Sequence, residues 1–278
     1  MKYSIFTVAN KSYYPFVQIL VNSISKNCSN VDKIYIADCG LEKYAKYLQE
    51  NEKVIILKTD TNNQYRGMNS DGWLRTTEQK TKKIKDLLSF VNFGDQSLIL
   101  IDSDVCVLKD FSELIDQQYD MQVTSMKNQH YRRDGIFLRQ IAAFLIFNNQ
   151  EKSIEFLDYW IDIMKNFEKD KNVVRPYETP ALNSLLRKSG ESKLFNVGDL
   201  SELKVCADQE VGDDTYSVHF KSGGRCSELK YRKHTLSENF SERIQCILNT
   251  SKSDINFGKY LNDQYYSEWI EEIGNEEA

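Results

Sequence analysis

Strand-like and helix-like patterns alternate through the first hundred residues of this 278-residue chain. Four short β-prone runs lie at 3–9, 31–37, 53–57 and 97–101. Three segments whose apolar residues recur at helical spacing lie between them, at 16–24, 41–49 and 76–91. The run at 97–101 is almost continuously apolar, as in a central strand covered on both faces. This alternation predicts an α/β fold with a mainly parallel sheet.

The second half of the sequence is less regular. It carries a predicted strand at 142–147, predicted helices at 154–167 and 180–188, and a late strand at 215–220. The tail is polar and acidic, with aromatic residues at Tyr260, Tyr265, Tyr266 and Trp269. Because no repeat or clear linker interrupts the chain, we expect one domain over residues 1–226. A helical or irregular C-terminal extension, residues 227–278, is expected to pack on it.

Composition excludes several classes of protein. A hydrophobic content of 41% rules out a disordered chain, and a net charge of −5 argues against a general nucleic-acid binder. The longest apolar run, 141–147, is far shorter than the roughly 20 residues of a membrane-spanning helix. The N-terminal apolar stretch is too short for a secretory signal, and the six cysteines are scattered singly. We therefore expect a cytoplasmic protein with no membrane span and with free thiols.

Common signatures of nucleotide-binding and hydrolytic enzymes are missing from the sequence. It contains neither a GxxxxGK[ST] phosphate loop nor a GxGxxG dinucleotide turn. No GxSxG elbow is found, and none of the three histidines belongs to an HExxH motif. These absences disfavour kinases, simple dehydrogenases, α/β hydrolases and zincins.

The pair of carboxylates in Asp102-Ser103-Asp104 is the first candidate for chemistry, because it follows the apolar run at 97–101 directly. Residues i and i+2 of an extended chain project to the same side, so both carboxylates can reach one cation. Such oxygen ligands suit Mg²⁺ or Mn²⁺, which can in turn hold a diphosphate. The alternative is an ordinary turn that ends the strand.

A second candidate follows the late strand, where His219 precedes Lys221, a pair of glycines and Arg225. The imidazole is a plausible third ligand for Mn²⁺, and the two cations could neutralise a departing diphosphate. The alternative is a half-buried histidine beside a solvated Gly-Gly turn. Taken together, the two candidates describe one site.

The chain resembles the GT-A fold glycosyltransferases, most closely the retaining family that includes glycogenin and bacterial lipopolysaccharide galactosyltransferases. The strand at 5–10 with Tyr13 resembles the family's nucleotide-binding start, and residues 98–107 resemble its YLDxDxxV strand. Residues 142–148, and the later Glu178-Thr179-Pro180-Ala181-Leu182-Asn183, resemble its NAGxxxxN and DQxxLN segments. His219 begins a loop like the family's HxxGxxKPW.

This resemblance implies a single GT-A type, Rossmann-like α/β domain with a mixed, mainly parallel sheet. It implies a hexosyltransferase that uses Mn²⁺ or Mg²⁺ and moves a hexose, with retention, from a nucleoside diphosphate sugar to a hydroxyl acceptor. A UDP-sugar is the expected donor, and a glycan is one candidate acceptor. The expected catalytic residues are Glu178 and Asp104, and the expected metal ligands are Asp102, Asp104 and His219. The expected contacts to the nucleotide sugar are Thr7, Val8, Ala9, Tyr13, Asp38, Lys80, Asp102, Ser103, Lys221 and Arg225.

The sequence also departs from the family's pattern. Thr179 stands where glutamine is usual and Ile141 where asparagine is usual, so the identity of the sugar stays open. The late loop lacks Lys-Pro-Trp, so Lys221 or Arg225 must replace the family's phosphate-binding lysine. If transfer inverts configuration instead, a carboxylate must act as the base, with Glu178 and Asp134 as the candidates.

Three other functions remain as alternatives. A sugar-nucleotide pyrophosphorylase shares an α/β nucleotide fold, but its N-terminal phosphate loop needs glycines that are missing here. A DxD-dependent phosphatase usually carries its nucleophile after the first strand, whereas Asp102 follows a later one. A non-catalytic sugar-binding relative would keep the fold without the reaction.

Overall fold

A central mixed sheet organises the computed structural model, which describes residues 1–59, 71–131, 135–170, 177–206, 211–220, 257–261 and 263–277. The strands in these ranges are β1 (Tyr3–Ala9), β2 (Val31–Asp38), β3 (Val54–Lys58), β4 (Ser97–Ile101), β5 (Val105–Val107), β6 (Met121–Tyr131), β7 (Phe137–Phe147), β8 (Val197–Ser201) and β9 (Ser217–His219). The helices are α1 (Tyr14–Asn27), α2 (Tyr44–Leu48), α3 (Asp71–Phe90), α4 (Gln150–Lys169), α5 (Glu178–Ser192), α6 (Glu202–Val205) and α7 (Asp263–Glu277). Short 3₁₀ turns lie at Lys11–Tyr13, Phe111–Glu113 and Phe257–Tyr260.

The seven-stranded sheet has the order β3-β2-β1-β4-β7-β6-β8. Strands β3, β2, β1 and β4 are parallel, β7 is antiparallel to both β4 and β6, and β8 is parallel to β6. Only β7 therefore runs against the others in this sheet, which confirms the prediction of a mixed, mainly parallel α/β fold. Strands β5 and β9 form a separate antiparallel pair.

Apolar side chains cover both faces of the sheet, so each strand buries successive residues in alternate layers. In β1, Ile5 and Ala9 join one core cluster with α1, α2, β5 and β9, whereas Phe6 and Val8 join the other with α3, α4 and α5. All five residues of β4 are buried. The prediction that this strand is central and covered on both faces is confirmed.

The predicted elements differ from the structure mainly in the second half. Strand β7 begins at Phe137, not at residue 142, and β6 and β8 were not predicted at all. Strand β6 reads Met-Gln-Val-Thr-Ser-Met-Lys-Asn-Gln-His-Tyr and so carries little apolar alternation to signal a strand. The helix predicted at 41–49 is only the short α2.

The C-terminal helix α7 packs on the sheet domain, with the Trp269 ring fully buried in the cluster that contains α1. The predicted domain boundary at 226 falls outside the described residues and stays a prediction. No helix in the described ranges is long and apolar enough to cross a bilayer. Among the same residues the cysteines are buried free thiols: Cys28, Cys39, Cys106 and Cys206.

Candidate active site

The Asp102–Asp104 segment lies at the carboxyl edge of the sheet, between the end of β4 and the start of β5. The Asp102 N–H donates to the Ala143 carbonyl at 2.9 Å, which extends the β4–β7 ladder by one bond. Ser103 is buried, and the side chains of Asp102 and Asp104 are 27% and 14% exposed. Both carboxylates can therefore meet a solute at this edge, where ligands of open α/β sheets bind.

The β5–β9 pair brings His219 to these carboxylates. Val105 is the register partner of His219, and the Phe220 N–H donates to the Asp104 carbonyl at 2.8 Å. As a result, His219 Nε2 lies 3.1 Å from Asp104 Oδ1 and 3.6 Å from Asp102 Oδ2.

The three side chains fit a divalent cation. One ligand atom from each of Asp102, Asp104 and His219 lies within 4.8 Å of the other two, and two carboxylates with an imidazole suit Mn²⁺ or Mg²⁺. Burial alone would raise the pKa of Asp104, but the His219 imidazole outweighs it and holds that pKa below its usual value. The carboxylate is therefore ionised at neutral pH, as a metal ligand must be.

A buried lysine links the Asp102 carboxylate to a second acidic residue. The Lys80 ammonium lies 2.6 Å from Asp102 Oδ1 and 2.9 Å from the Ala142 carbonyl, and it also forms an ion pair with Glu178. Burial lowers the pKa of Lys80, but the two carboxylates outweigh that effect and raise it. Since these three partners match the three N–H donors of an ammonium group, Lys80 holds the carboxylates in place rather than presenting a free cation.

An irregularity in β7 frees the Ala142 carbonyl for this lysine. Val123 pairs with Leu145, but the next residue, Thr124, pairs with Ile141, so residues 142–144 have no β6 partner. The Thr124 hydroxyl instead donates to the Phe144 carbonyl at 2.7 Å. Bulges of this kind are common next to active sites, where they redirect backbone groups.

Glu178 is the first residue of α5, and its side chain is almost enclosed. The Trp160 indole N–H donates to the Glu178 carbonyl at 2.9 Å and so fixes the start of the helix against α4. Burial, together with the nearby Asp102 carboxylate, raises the pKa of Glu178 to about 7, although Lys80 opposes this. Near neutral pH this carboxyl group can therefore hold or release a proton.

Asn183, one turn further along α5, attaches the helix to β7. Its Oδ1 accepts from the Arg139 and Gln140 N–H groups at 2.7 and 2.9 Å, and its Nδ2 donates to the Gln140 carbonyl at 2.8 Å. The sequence prediction quoted Asn183 within the DQxxLN-like segment but gave it no role. That segment was the signal in the sequence that could have indicated this role. No sequence pattern indicated the contacts of the Ala142 carbonyl or of the Trp160 indole.

Residues 31–244 match the family model described as nucleotide-diphospho-sugar transferase. The match covers well over half of the chain and includes Lys80, the Asp102–Asp104 pair, Glu178 and His219. The chain belongs to the nucleotide-diphospho-sugar transferase family. No curated protein sequence matches it.

Solved structures show the same GT-A fold for this nucleotide-diphospho-sugar transferase. The galactosyltransferase LgtC, solved in complex with donor and acceptor sugar analogues, is 13% identical, with a TM-score of 0.55, over 93% of this chain and 100% of that one. The glycosyltransferase GlyE of Streptococcus pneumoniae TIGR4 is 14% identical, also with a TM-score of 0.55, over 99% of this chain and 64% of that longer one.

The nucleoside-binding residues predicted for this transferase lie at the ends of β1 and β2 and on the turn that follows β1, all at the same sheet edge. Thr7, Val8 and Ala9 are buried at the end of β1, and the Thr7 hydroxyl has no hydrogen-bond partner among the described residues. Asp38 Oδ1 accepts from the Gly40 and Leu41 N–H groups at 2.9 and 2.6 Å, so this carboxylate shapes its own turn. Gly40 has a φ of 109°, a conformation that favours glycine.

Tyr13 ends the 3₁₀ turn that follows β1, and its ring packs against Phe16 with the centroids 5.8 Å apart. Lys221, Arg225 and Asp134 lie outside the described residues, so their predicted roles stay predictions. The structure brings together five of the predicted site residues, and they form the candidate active site used below: Lys80, Asp102, Asp104, Glu178 and His219.

Proposed function

We propose that the protein is a metal-dependent hexosyltransferase that moves a hexose from a UDP-sugar to a hydroxyl acceptor, such as a glycan hydroxyl, with retention of configuration. The observation that carries the proposal is the contact between the Asp102–Asp104–His219 cluster and the buried Lys80–Glu178 pair. The three-residue cluster suits a cation that binds a diphosphate, and the Lys80–Glu178 pair suits the hydroxyl groups of a sugar. The family match supports the nucleotide sugar as donor.

Asp104 and His219 would hold Mn²⁺ or Mg²⁺, and Asp102 would share it through Oδ2. When bound, the cation would neutralise the negative charge that develops on the leaving diphosphate. Because Lys80 holds Oδ1 of Asp102, the carboxylate is fixed before the donor arrives, and no binding energy is spent on orienting it. The uridine would lie along the turn after β1, with Tyr13 able to stack on the base and Thr7, Val8, Ala9 and Asp38 lining the site. Lys221 and Arg225 keep their predicted place at the diphosphate.

Glu178 would contact the transferred hexose. Because its carboxylate is paired with Lys80, Glu178 is better suited to accept a hydrogen bond from a sugar hydroxyl than to abstract a proton. Retention requires no strong protein base. The bond from the anomeric carbon to the phosphate oxygen breaks, the bond to the acceptor oxygen forms on the same face, and the departing phosphate oxygen takes the acceptor's proton.

The buried free thiols support a reducing compartment, and we place the protein in the cytoplasm on that basis. Titration of the purified, denatured protein with a thiol reagent under non-reducing conditions should find all six cysteines reactive. A native disulfide would contradict this placement.

Incubation with UDP-, GDP- and CDP-hexoses in Mn²⁺ tests the proposed activity. We expect release of UDP from at least one UDP-hexose, and loss of that release in EDTA. Consumption of pyrophosphate would indicate a pyrophosphorylase instead, and release of phosphate from a generic ester would indicate a phosphatase. No turnover in any assay would favour a sugar-binding protein.

The anomeric configuration of the first product, read by NMR before mutarotation, tests the stereochemistry. Retention is expected. An inverted product would assign Glu178 or Asp134 as the base. A pKa near 7 would suit Glu178 to that role.

A further inference from the structure

The C-terminal helix α7 contacts the turn that follows β1. The Trp269 indole N–H donates to the Lys11 carbonyl at 2.7 Å, and the ring is fully buried. Lys11 begins the 3₁₀ turn that ends at Tyr13, and Asn10 alone separates this turn from the buried Thr7–Ala9 segment. A side chain near the end of the chain therefore holds the backbone of the first turn of the fold.

Acidic residues of α7 add a second attachment at the same place. The Glu272 carboxylate accepts from the Lys11 ammonium, from the Lys43 ammonium at 3.0 Å and from the Tyr44 hydroxyl at 2.6 Å. The Lys11 side chain is only 10% exposed, so it would be a poorly hydrated charge without this partner. Glu42 lies farther from the ammonium, at 3.7 Å, so Glu272 is the closer of these two carboxylates.

The turns after β1 and β2 are also attached to each other. The Cys39 N–H donates to the Ala9 carbonyl at 2.8 Å, and the Lys11 N–H donates to the Gly40 carbonyl at 3.0 Å. A shift of Lys11 would therefore be transmitted to the segment next to Asp38. The first turn carries Tyr13 and the second follows Asp38 directly, and the proposed function assigns both residues to the nucleoside.

We propose that Trp269 and Glu272 are positioning residues for the donor: α7 holds the two turns in the geometry that binds the nucleoside. This inference rests on the proposed function, because it assumes that the nucleoside lies on these turns. It does not involve the proposed metal ligands, which lie between β4 and β5 and at the end of β9. Loss of either contact should thus weaken nucleotide binding and leave the later chemical step almost unchanged, since pre-organisation acts on binding.

The test uses the full chain with Trp269→Phe, which removes the indole N–H together with part of the buried ring, and Glu272→Gln, which removes the charge at little change in volume. The matched control is Tyr265→Phe on the same helix, which loses a hydrogen bond to Glu50 but keeps the stacking on Tyr47, with centroids 3.9 Å apart. We expect the Kd for UDP in Mn²⁺ to rise about fivefold to tenfold in the two variants, as for one lost hydrogen bond. KM for the sugar donor should rise in step, kcat should change less than about twofold, and the control should bind normally.

Hydrogen exchange gives a readout that does not depend on the ligand. The amides of Lys11 and Cys39 should exchange faster than in wild type in both variants. In Tyr265→Phe they should exchange at the wild-type rate. If Trp269→Phe does not fold, Glu272→Gln alone decides. Normal UDP affinity in folded variants would overturn the inference and leave the proposed function standing. Failure of the wild-type protein to bind any nucleoside diphosphate would overturn the proposed function and the inference together.

Discussion

Val105 pairs with His219 in the β5–β9 sheet, and the residue before Val105 is Asp104. The backbone bond from the Phe220 N–H to the Asp104 carbonyl closes this pair of strands at the site. Backbone pairing therefore brings the imidazole and the carboxylate, 115 positions apart in sequence, to 3.1 Å from each other. A site built in this way should bind its cation with little rearrangement.

Replacing one metal ligand should separate function from folding. In Asp104→Asn the side chain keeps its shape but loses the charge that the cation needs. We expect nucleotide release to fall by about 10²-fold or more, while the melting temperature stays within a few degrees. Assays at saturating UDP-hexose across a Mn²⁺ series provide the measurement. The control is Asp95→Asn on an exposed loop, and near-normal turnover in Asp104→Asn would remove Asp104 from the metal site.

Lys80 should matter for stability as well as for activity. Lys80→Met leaves Asp102 and Glu178 close together without their buried counter-charge, and breaking a buried pair of this kind costs about 3–5 kcal/mol. In the double variant Lys80→Met/Glu178→Gln one of the two stranded charges is gone, so part of the loss should be recovered. Urea denaturation measures the free energy of unfolding of the single and the double variant. A loss below about 1 kcal/mol, typical of surface ion pairs, would show that the contact is not buried in solution.

Asn183 should be required for the attachment of α5. In Asn183→Asp the Nδ2 donor becomes a carboxylate oxygen that faces the carbonyls of Thr179 and Gln140. We expect a loss of about 2–3 kcal/mol in the free energy of unfolding, because buried groups are left without partners. Asn166→Asp, on the exposed side of α4, is the matched control and should change it by less than about 0.5 kcal/mol. Equal effects in the two variants would contradict the role of Asn183.

The attachment of α7 should weaken in acid. Partial burial tends to raise the pKa of Glu272, but hydrogen bonds from Lys11, Tyr44 and Lys43 outweigh it and lower the pKa from 4.5 to about 2. A lowered carboxylate pKa stabilises the folded state above the unfolded value, and this stabilisation is lost as the pH falls from about 4.5 towards 2. Melting temperatures of wild type and Glu272→Gln should therefore differ most above pH 5 and converge in acid. A constant difference over that range, or the same behaviour in the exposed Glu52→Gln, would contradict the assignment.

Much of the fold could be predicted because its signal is local. Strands β1 and β4 carry near-continuous apolar runs, and their predicted bounds coincide with those in the structure. Strand β6 could not be predicted in this way, because polar side chains dominate most of its length, and the short β8, Val-Gly-Asp-Leu-Ser, carries only two apolar residues. Pairing makes them strands: β6 lies between β7 and β8, and β8 pairs with β6, which is distant from it in sequence.

The candidate site was partly predictable for a similar reason. The Asp102–Asp104 spacing is visible within three residues, and Lys80 was expected among the contacts to the nucleotide sugar. The contact of Lys80 with Glu178 depends on how α3 and α5 pack on the same face of the sheet, and the bond from Lys80 to the Ala142 carbonyl depends on a register shift between β6 and β7. Neither relationship leaves a pattern in a single sequence.

The most direct test of the central claim is a calorimetric titration of the wild-type protein with UDP, once in saturating Mn²⁺ and once in EDTA. If Asp102, Asp104 and His219 hold a cation that binds the diphosphate, the Kd in Mn²⁺ should be at least about tenfold lower, the effect of one or two charge-assisted contacts. Equal affinity with and without Mn²⁺, or no binding of UDP in either buffer, would contradict the account.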